Sequence, residues 1–192
     1  FENHLYKFLK TKKLNMKYSG IFKYGRNLNS AFLLKRSLFL PQEIKELISK
    51  KEFKDGYEEL NFFDNSLNEI EKIKDKKLSI MYLEIKYYLC SKLLRDSDWA
   101  SMSNSVELRT PFVDWFYFKK ILPLIKFDKN FGKMNLFNAF KNKLPVNLSN
   151  RQKTGFVIPH SSFMNKMSLP RKYSNPLKDW AIFGLNKYMK NV

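Results

Sequence analysis

Apolar residues along this chain recur mostly at steps of three and four, and the alternation expected of half-buried strands is scarce. That spacing predicts helices joined by short loops. Over residues 27–40, Leu28, Ala31, Phe32 and Leu38 fall on one stripe. Pro41 then stands where a second helix can begin, with Gln42 and Glu43 in its first turn and Ile44, Leu47 and Ile48 facing inward. The charged stretch 51–65 reads as connecting loop. From Ser66 the helical period returns at Leu67, Ile70 and Ile73, and it runs through Leu78, Met81, Tyr82, Ile85, Tyr88 and Leu89, predicting a helix over 77–95. Residues 98–106 read as a short helix or turn. Pro111 disfavours the helical region at Thr110, so Leu108 to Phe112 is expected to be extended, with Asp114 capping a helix from Trp115 to Leu122. Further helices are expected at 134–144, 160–167 and 177–190, with loop from Arg151 to Pro159. The fold class is mainly α, and no repeat or second domain shows in the 192 residues.

Composition narrows the classes. A chain of 192 residues with 44% hydrophobic and 16% aromatic content can bury a core, which excludes disorder as the main state. Its one cysteine, Cys90, cannot form an internal disulfide, and no apolar run approaches the roughly 20 residues of a spanning helix. A cytoplasmic protein with no membrane partner is expected. Charge is lopsided: 36 Lys+Arg face 18 Asp+Glu, a formal net charge of +18. The lysines are scattered, with short clusters at Lys10, Lys12 and Lys13 and at Lys72, Lys74, Lys76 and Lys77, which suits a solvated surface better than a nucleic-acid face. The first residue is Phe1 rather than Met, so the start of the gene product is expected to lie upstream.

The common catalytic patterns are missing. His4 and His160 lie far apart and, with Cys90, supply neither a zinc ligand set nor a thiol–imidazole pair, so no metal site is expected. Neither G-x-x-x-x-G-K-[ST] nor G-x-G-x-x-G occurs. Two stretches carry charge in unusual company. From Leu93 to Asp114, Asp98, Glu107, Arg109 and Asp114 alternate with apolar residues across a corner; from Asn150 to Pro159, Arg151 and Lys153 precede Gly155. Spacing alone favours an internal ion-pair network, Glu107 or Asp114 with Arg109, and a solvated lysine at 153.

The first stretch resembles the pattern L-L-x-x-x-D-R-x-S-M-A-x-S-L-E-x-R-x-P-F-L-D of asparagine synthetases, and Arg151 to Pro159 resembles their R-x-K-x-G-F-x-x-P loop. Between them Gly132-Lys133, Ala139-Phe140 and Leu144-Pro145 follow the register G-K-x-x-L-R-x-A-x-x-x-x-L-P. Ala31 to Arg36 with Leu38 to Pro41 further resembles a helical insertion in asparagine-synthetase-like proteins of bacterial surface-polysaccharide loci. The likeness covers most of 28–160, leaving a divergent tail over 161–192.

The resemblance implies a fold and a chemistry. The fold would be the helical C-terminal portion of an α/β ATP-pyrophosphatase domain of adenine-nucleotide-hydrolase type, so that 1–192 is a single, partial domain. Such domains use ATP and Mg2+: a substrate carboxylate attacks the α-phosphorus, pyrophosphate leaves, and ammonia drawn from glutamine displaces AMP to leave an amide. Glu107 would be the catalytic carboxylate facing the adenylated intermediate. Lys153 would bind the phosphates of ATP and the departing pyrophosphate. Asp98, Arg109 and Asp114 would hold the corner. Trp99 stands where a basic residue is usual, Ser103 where Ala is, and Phe137 where Arg is common. The S-G-G-x-D-S loop, the G-x-G-x-D-E segment and the glutaminase domain are not in the 192 residues. The chain alone is therefore expected to be inactive and to need the missing N-terminal synthetase and glutaminase portion as partner, with an aspartate-like carboxylate as acceptor. Alternatives are an amidotransferase for a surface-glycan sugar acid, and an inactive helical remnant or partner-binding module.

Overall fold

The computed structural model describes residues 2–12, 17–128, 130–143, 145, 152, 159–170 and 172–190. Among these every regular element is helical and no strand occurs, so the mainly-α expectation holds. The chain divides into two compact units, Phe1–Asp96 with Pro159–Val192, and Ser97–Ile158.

The first unit opens with α1 (Glu2–Thr11), α2 (Lys17–Tyr24) and α3 (Leu28–Arg36), followed by the short α4 (Pro41–Ile44). Helix α2 approaches its neighbours closely at Gly20: a Cβ there would meet Leu34 Cδ1 at 3.0 Å and Leu40 Cδ1 at 3.1 Å. The stretch read as loop over 51–65 is instead helical, as α5 (Lys50–Leu60) and α6 (Phe62–Ile70). Its start is a reciprocal cap, in which Glu52 N–H donates to Ser49 Oγ at 3.2 Å and Ser49 N–H to Glu52 Oε2 at 2.8 Å. Asn61, in the left-handed region at φ 35, ψ 41, makes the break between the two helices.

The helix expected at 77–95 is longer and wound in two ways. Helix α7 (Lys76–Leu83) starts at Asp75, whose carboxylate accepts from Lys77 N–H at 2.7 Å and Leu78 N–H at 3.1 Å. Glu84–Leu94 then continues as π-helix, with Ser91 Oγ donating to Lys86 O, five residues back, at 2.7 Å. Helix α8 (Arg95–Met102) completes the run.

The core is shared among α3, α6, α7 and the π segment. Phe32, Ile70 and Leu83 are buried, with Leu28, Phe62, Tyr82, Tyr87 and Tyr88 packed around them. Phe62 meets Tyr87 edge-on at 4.8 Å between ring centroids. Beside this cluster, buried Asn29 donates to Ser66 Oγ at 3.2 Å, so a polar pair is satisfied where water is excluded. Arg36 makes two hydrogen bonds to Glu84, at 3.0 and 2.5 Å, while its guanidinium lies 3.8 Å from the Tyr88 ring centroid.

The tail belongs to this unit. Helices α11 (His160–Lys166) and α12 (Pro176–Met189) match the two expected terminal helices within a residue. Before them in the chain come α9 (Trp115–Phe127) and α10 (Lys133–Ala139) of the second unit, where α9 runs five residues past the predicted end and α10 stops five short of it. Pro123 did not end α9, because the carbonyl it leaves without a helical donor belongs to exposed Lys119, where water can take its place.

Candidate functional site

Asp98 lies on α8, exposed. The helix is left through a tight turn: Ser105 takes the left-handed conformation at φ 56, and Val106 N–H donates to Ser101 O at 3.1 Å. Pro111 keeps Thr110 out of the helical region, at φ −118, ψ 80, and residues 106–110 run without regular structure. The extended segment is shorter than expected, since Pro111–Val113 closes into one 3-10 turn.

On an extended chain, side chains two apart share a face. Glu107 and Arg109 do so and pair through two hydrogen bonds, Nε to Oε1 at 3.0 Å and Nη2 to Oε2 at 3.1 Å. Asp114 is turned elsewhere: its carboxylate accepts from Tyr117 N–H at 2.9 Å and caps α9, the role its position predicted. The pair is no internal network. Side-chain exposures of 67% for Glu107 and 82% for Arg109 put it in water, where such pairs contribute little stability. What the pair does supply is orientation, a carboxylate held by two hydrogen bonds from one guanidinium.

Apolar side chains before and after the pair in sequence are likewise uncovered. Trp99, Met102, Val106, Leu108 and Phe112 are each more than half exposed. Among the described residues of the second unit none is buried. Lys153 and Gly155, with most of the Arg151 to Pro159 loop, lie outside the described residues, so the site as described consists of the Glu107 corner alone.

The asparagine synthase family model matches residues 6–181. The chain belongs to the asparagine synthase family. It is 32% identical over 116 residues to the asparagine synthetase [glutamine-hydrolyzing] 1 of Bacillus subtilis (strain 168), an alignment that covers 59% of this chain and 16% of that protein. The chain thus matches about a sixth of the length of its curated relative. No solved structure matches it. The family match extends well beyond residues 28–160, into both α2 and the tail that reads as divergent.

The remaining family block starts α10. Gly132 N–H donates to Asn135 Oδ1 at 2.9 Å, placing Lys133 in the first turn, and Phe137, where Arg is common in the pattern, is half-buried. No cluster of three or more His, Cys, Asp and Glu side chains that would suit a metal ion occurs among the described residues.

Two buried acids, Glu43 and Asp179, escaped sequence reasoning. Glu43 is 4% exposed, accepts from Leu40 N–H at 2.9 Å and pairs with Lys178 on α12, 135 residues later. The Lys178 ammonium also lies 5.0 Å from the Phe39 ring centroid and 5.5 Å from that of Tyr173. Lys17, whose ammonium donates to Lys35 O at 2.7 Å, is lowered in pKa by burial and then by the nearby charges of Lys178 and Arg36. A pair so distant in sequence leaves no local signal; it secures the tail to the first unit.

Proposed function

We propose that this chain supplies the helical C-terminal part of an ATP-dependent amide-forming site, with Glu107 as its ammonia-side carboxylate. The observation that carries the reading is the family match over residues 6–181 together with Glu107 standing, oriented by Arg109, at an exposed corner in the family's S-x-E-x-R register. The reaction has two halves. A carboxylate oxygen of an aspartate-like acceptor attacks the α-phosphorus of ATP, and the bond to pyrophosphate breaks. Ammonia from glutamine then attacks the acyl carbon, AMP leaves with the carboxyl oxygen, and Glu107 takes a proton from the incoming nitrogen.

Lys153 is assigned to the first half, neutralising charge on the departing pyrophosphate. An array of backbone N–H donors is normally needed to hold a triphosphate, and one lysine cannot replace it. The S-G-G-x-D-S loop that the resemblance calls for would therefore come from outside these 192 residues. The test is pyrophosphate exchange into ATP with aspartate present, on the purified chain with and without a polypeptide carrying that loop. Exchange is expected only with both. Exchange by the 192 residues alone would overturn the division of labour, and its absence in every combination would overturn the assigned reaction.

A further inference from the structure

The run from Lys76 to Met102 changes winding at its middle. Both ends, α7 and α8, are α-helical, and the 11 residues Glu84–Leu94 between them are π-wound, more than two turns of a form that ordinarily appears as a single turn. Such a winding needs something to select it. Arg36 does not: it bonds Glu84 and stacks on Tyr88, and residues four apart share a side in either winding. Glu69 on α6 does. Its carboxylate pairs with Lys86 and accepts from the Tyr87 hydroxyl at 3.3 Å, and the Tyr82 hydroxyl acts on it as a further donor. The Lys86 ammonium lies 5.9 Å from the Tyr82 ring centroid and 5.3 Å from that of Tyr87, so both rings lie at the same cation.

Tyr82 and Tyr87 are five residues apart. At about 100° per residue an α-helix would turn them about 140° away from each other, and one carboxylate would not meet both hydroxyls. In π winding a turn takes about 4.4 residues, so five make little more than one turn and the two hydroxyls fall on one side. The Tyr87 ring also packs on Phe62 at 4.8 Å and on Phe32 at 6.4 Å between centroids, so the same residue ties the register to the core. Beyond it the hold ends. Cys90, Ser91, Lys92 and Leu93 are exposed, and the bond from Ser91 Oγ to Lys86 O is made within the segment itself. The exposed half therefore takes its winding from Tyr87. Rewinding the 11 residues from about 80° to about 100° each would turn the helix beyond Leu94 by about 200° about its axis.

We propose that Glu84–Leu94 is a two-register joint, π-wound while Glu69 and Phe62 hold Tyr87 and α-wound when they do not, and that its register sets the direction in which the helix delivers the chain toward the Glu107 corner. Only the consequence for Glu107 rests on the proposed function; the register is read without nucleotide or acceptor, so either can fail alone. The measurement is the coupling across hydrogen bonds between amide nitrogen and carbonyl carbon, by nuclear magnetic resonance on the full 192-residue chain. The amides of Cys90 and Ser91 should couple to the carbonyls of Ile85 and Lys86, five residues back. In Glu69→Leu and in Tyr87→Leu they should couple to those of residues 86 and 87, four back, whereas Glu71→Leu, at an exposed acid ending α6, should change nothing. Circular dichroism identifies a variant that fails to fold, and the other then decides. Absence of five-back couplings in the unsubstituted chain, their retention in either folded variant, or an equal shift in Glu71→Leu would each overturn the joint. In the chain joined to a polypeptide carrying the S-G-G-x-D-S loop, Glu69→Leu should lower amide formation at least about tenfold more than pyrophosphate exchange. Equal losses there would overturn the link to Glu107.

Discussion

The two units handle the same kind of sequence in opposite ways. In the first, aromatic residues at helical spacing close on one another around Phe32, Ile70 and Leu83, and even polar groups such as Asn29, Ser66 and Glu43 are buried with partners. In the second, an equally aromatic sequence leaves every described side chain at least partly in water. Apolar residues fold a region only where its elements give them something to close on, and among the described residues the second unit has few helices to offer, chiefly α9 and α10. The region that carries the candidate chemistry is therefore the one with the fewest buried contacts among the described residues.

The contrast is broken most strongly at the tail. Lys178→Ala strands the buried Glu43 carboxylate and is expected to cost about 3–5 kcal/mol in urea unfolding. The double variant Glu43→Gln with Lys178→Met should recover most of that loss. Next comes Leu83→Ala, about 2–5 kcal/mol because Leu83 is fully buried. Its counterpart in the second unit, Leu108→Ala, should leave the urea midpoint within about 0.5 kcal/mol of its starting value. A large effect at Leu108 would show a hidden core around the corner. Asp114→Ala should cost α9 about 1 kcal/mol, read as faster amide exchange at Tyr117 and Phe118.

The smallest effect is a pH dependence. The hydrogen bond from Lys86 holds the Glu69 carboxyl below the usual carboxylate range, and the same bond holds Lys86 above the usual lysine range. Glu69 therefore contributes above about pH 5 and its share is lost as pH falls through its folded value; Lys86 contributes below about pH 10 and its share is lost as pH rises. Both groups are partly exposed, so the plateau between should stand less than about 1 kcal/mol above that of Glu69→Gln, measured by thermal melts across pH.

Which parts were legible follows from where the information sits. Asp114 caps α9 and Pro111 bends the corner through neighbours one to three residues away, so sequence reading reached both. Helix α5 was legible too, in the Ser49-Lys50-Lys51-Glu52 start, but its run of charges and Gly56 resembled a loop. The π winding of Glu84–Leu94 has no signature in an apolar period, and the Glu43–Lys178 pair depends on a fold that brings residues 135 apart together. Glu107 was found by its motif; its exposure, and the lack of any internal network around it, required the structure.

The central claim is that Glu107 serves the ammonia step and does not merely hold a corner. It is tested most directly by Glu107→Gln in this chain joined to a polypeptide carrying the S-G-G-x-D-S loop, following aspartate-dependent pyrophosphate exchange and amide formation in the same preparation. Exchange close to that of the unsubstituted protein with amide formation reduced by about 100-fold or more is the predicted result. Unchanged rates of both would contradict it and leave Glu107 as a solvent-exposed partner of Arg109.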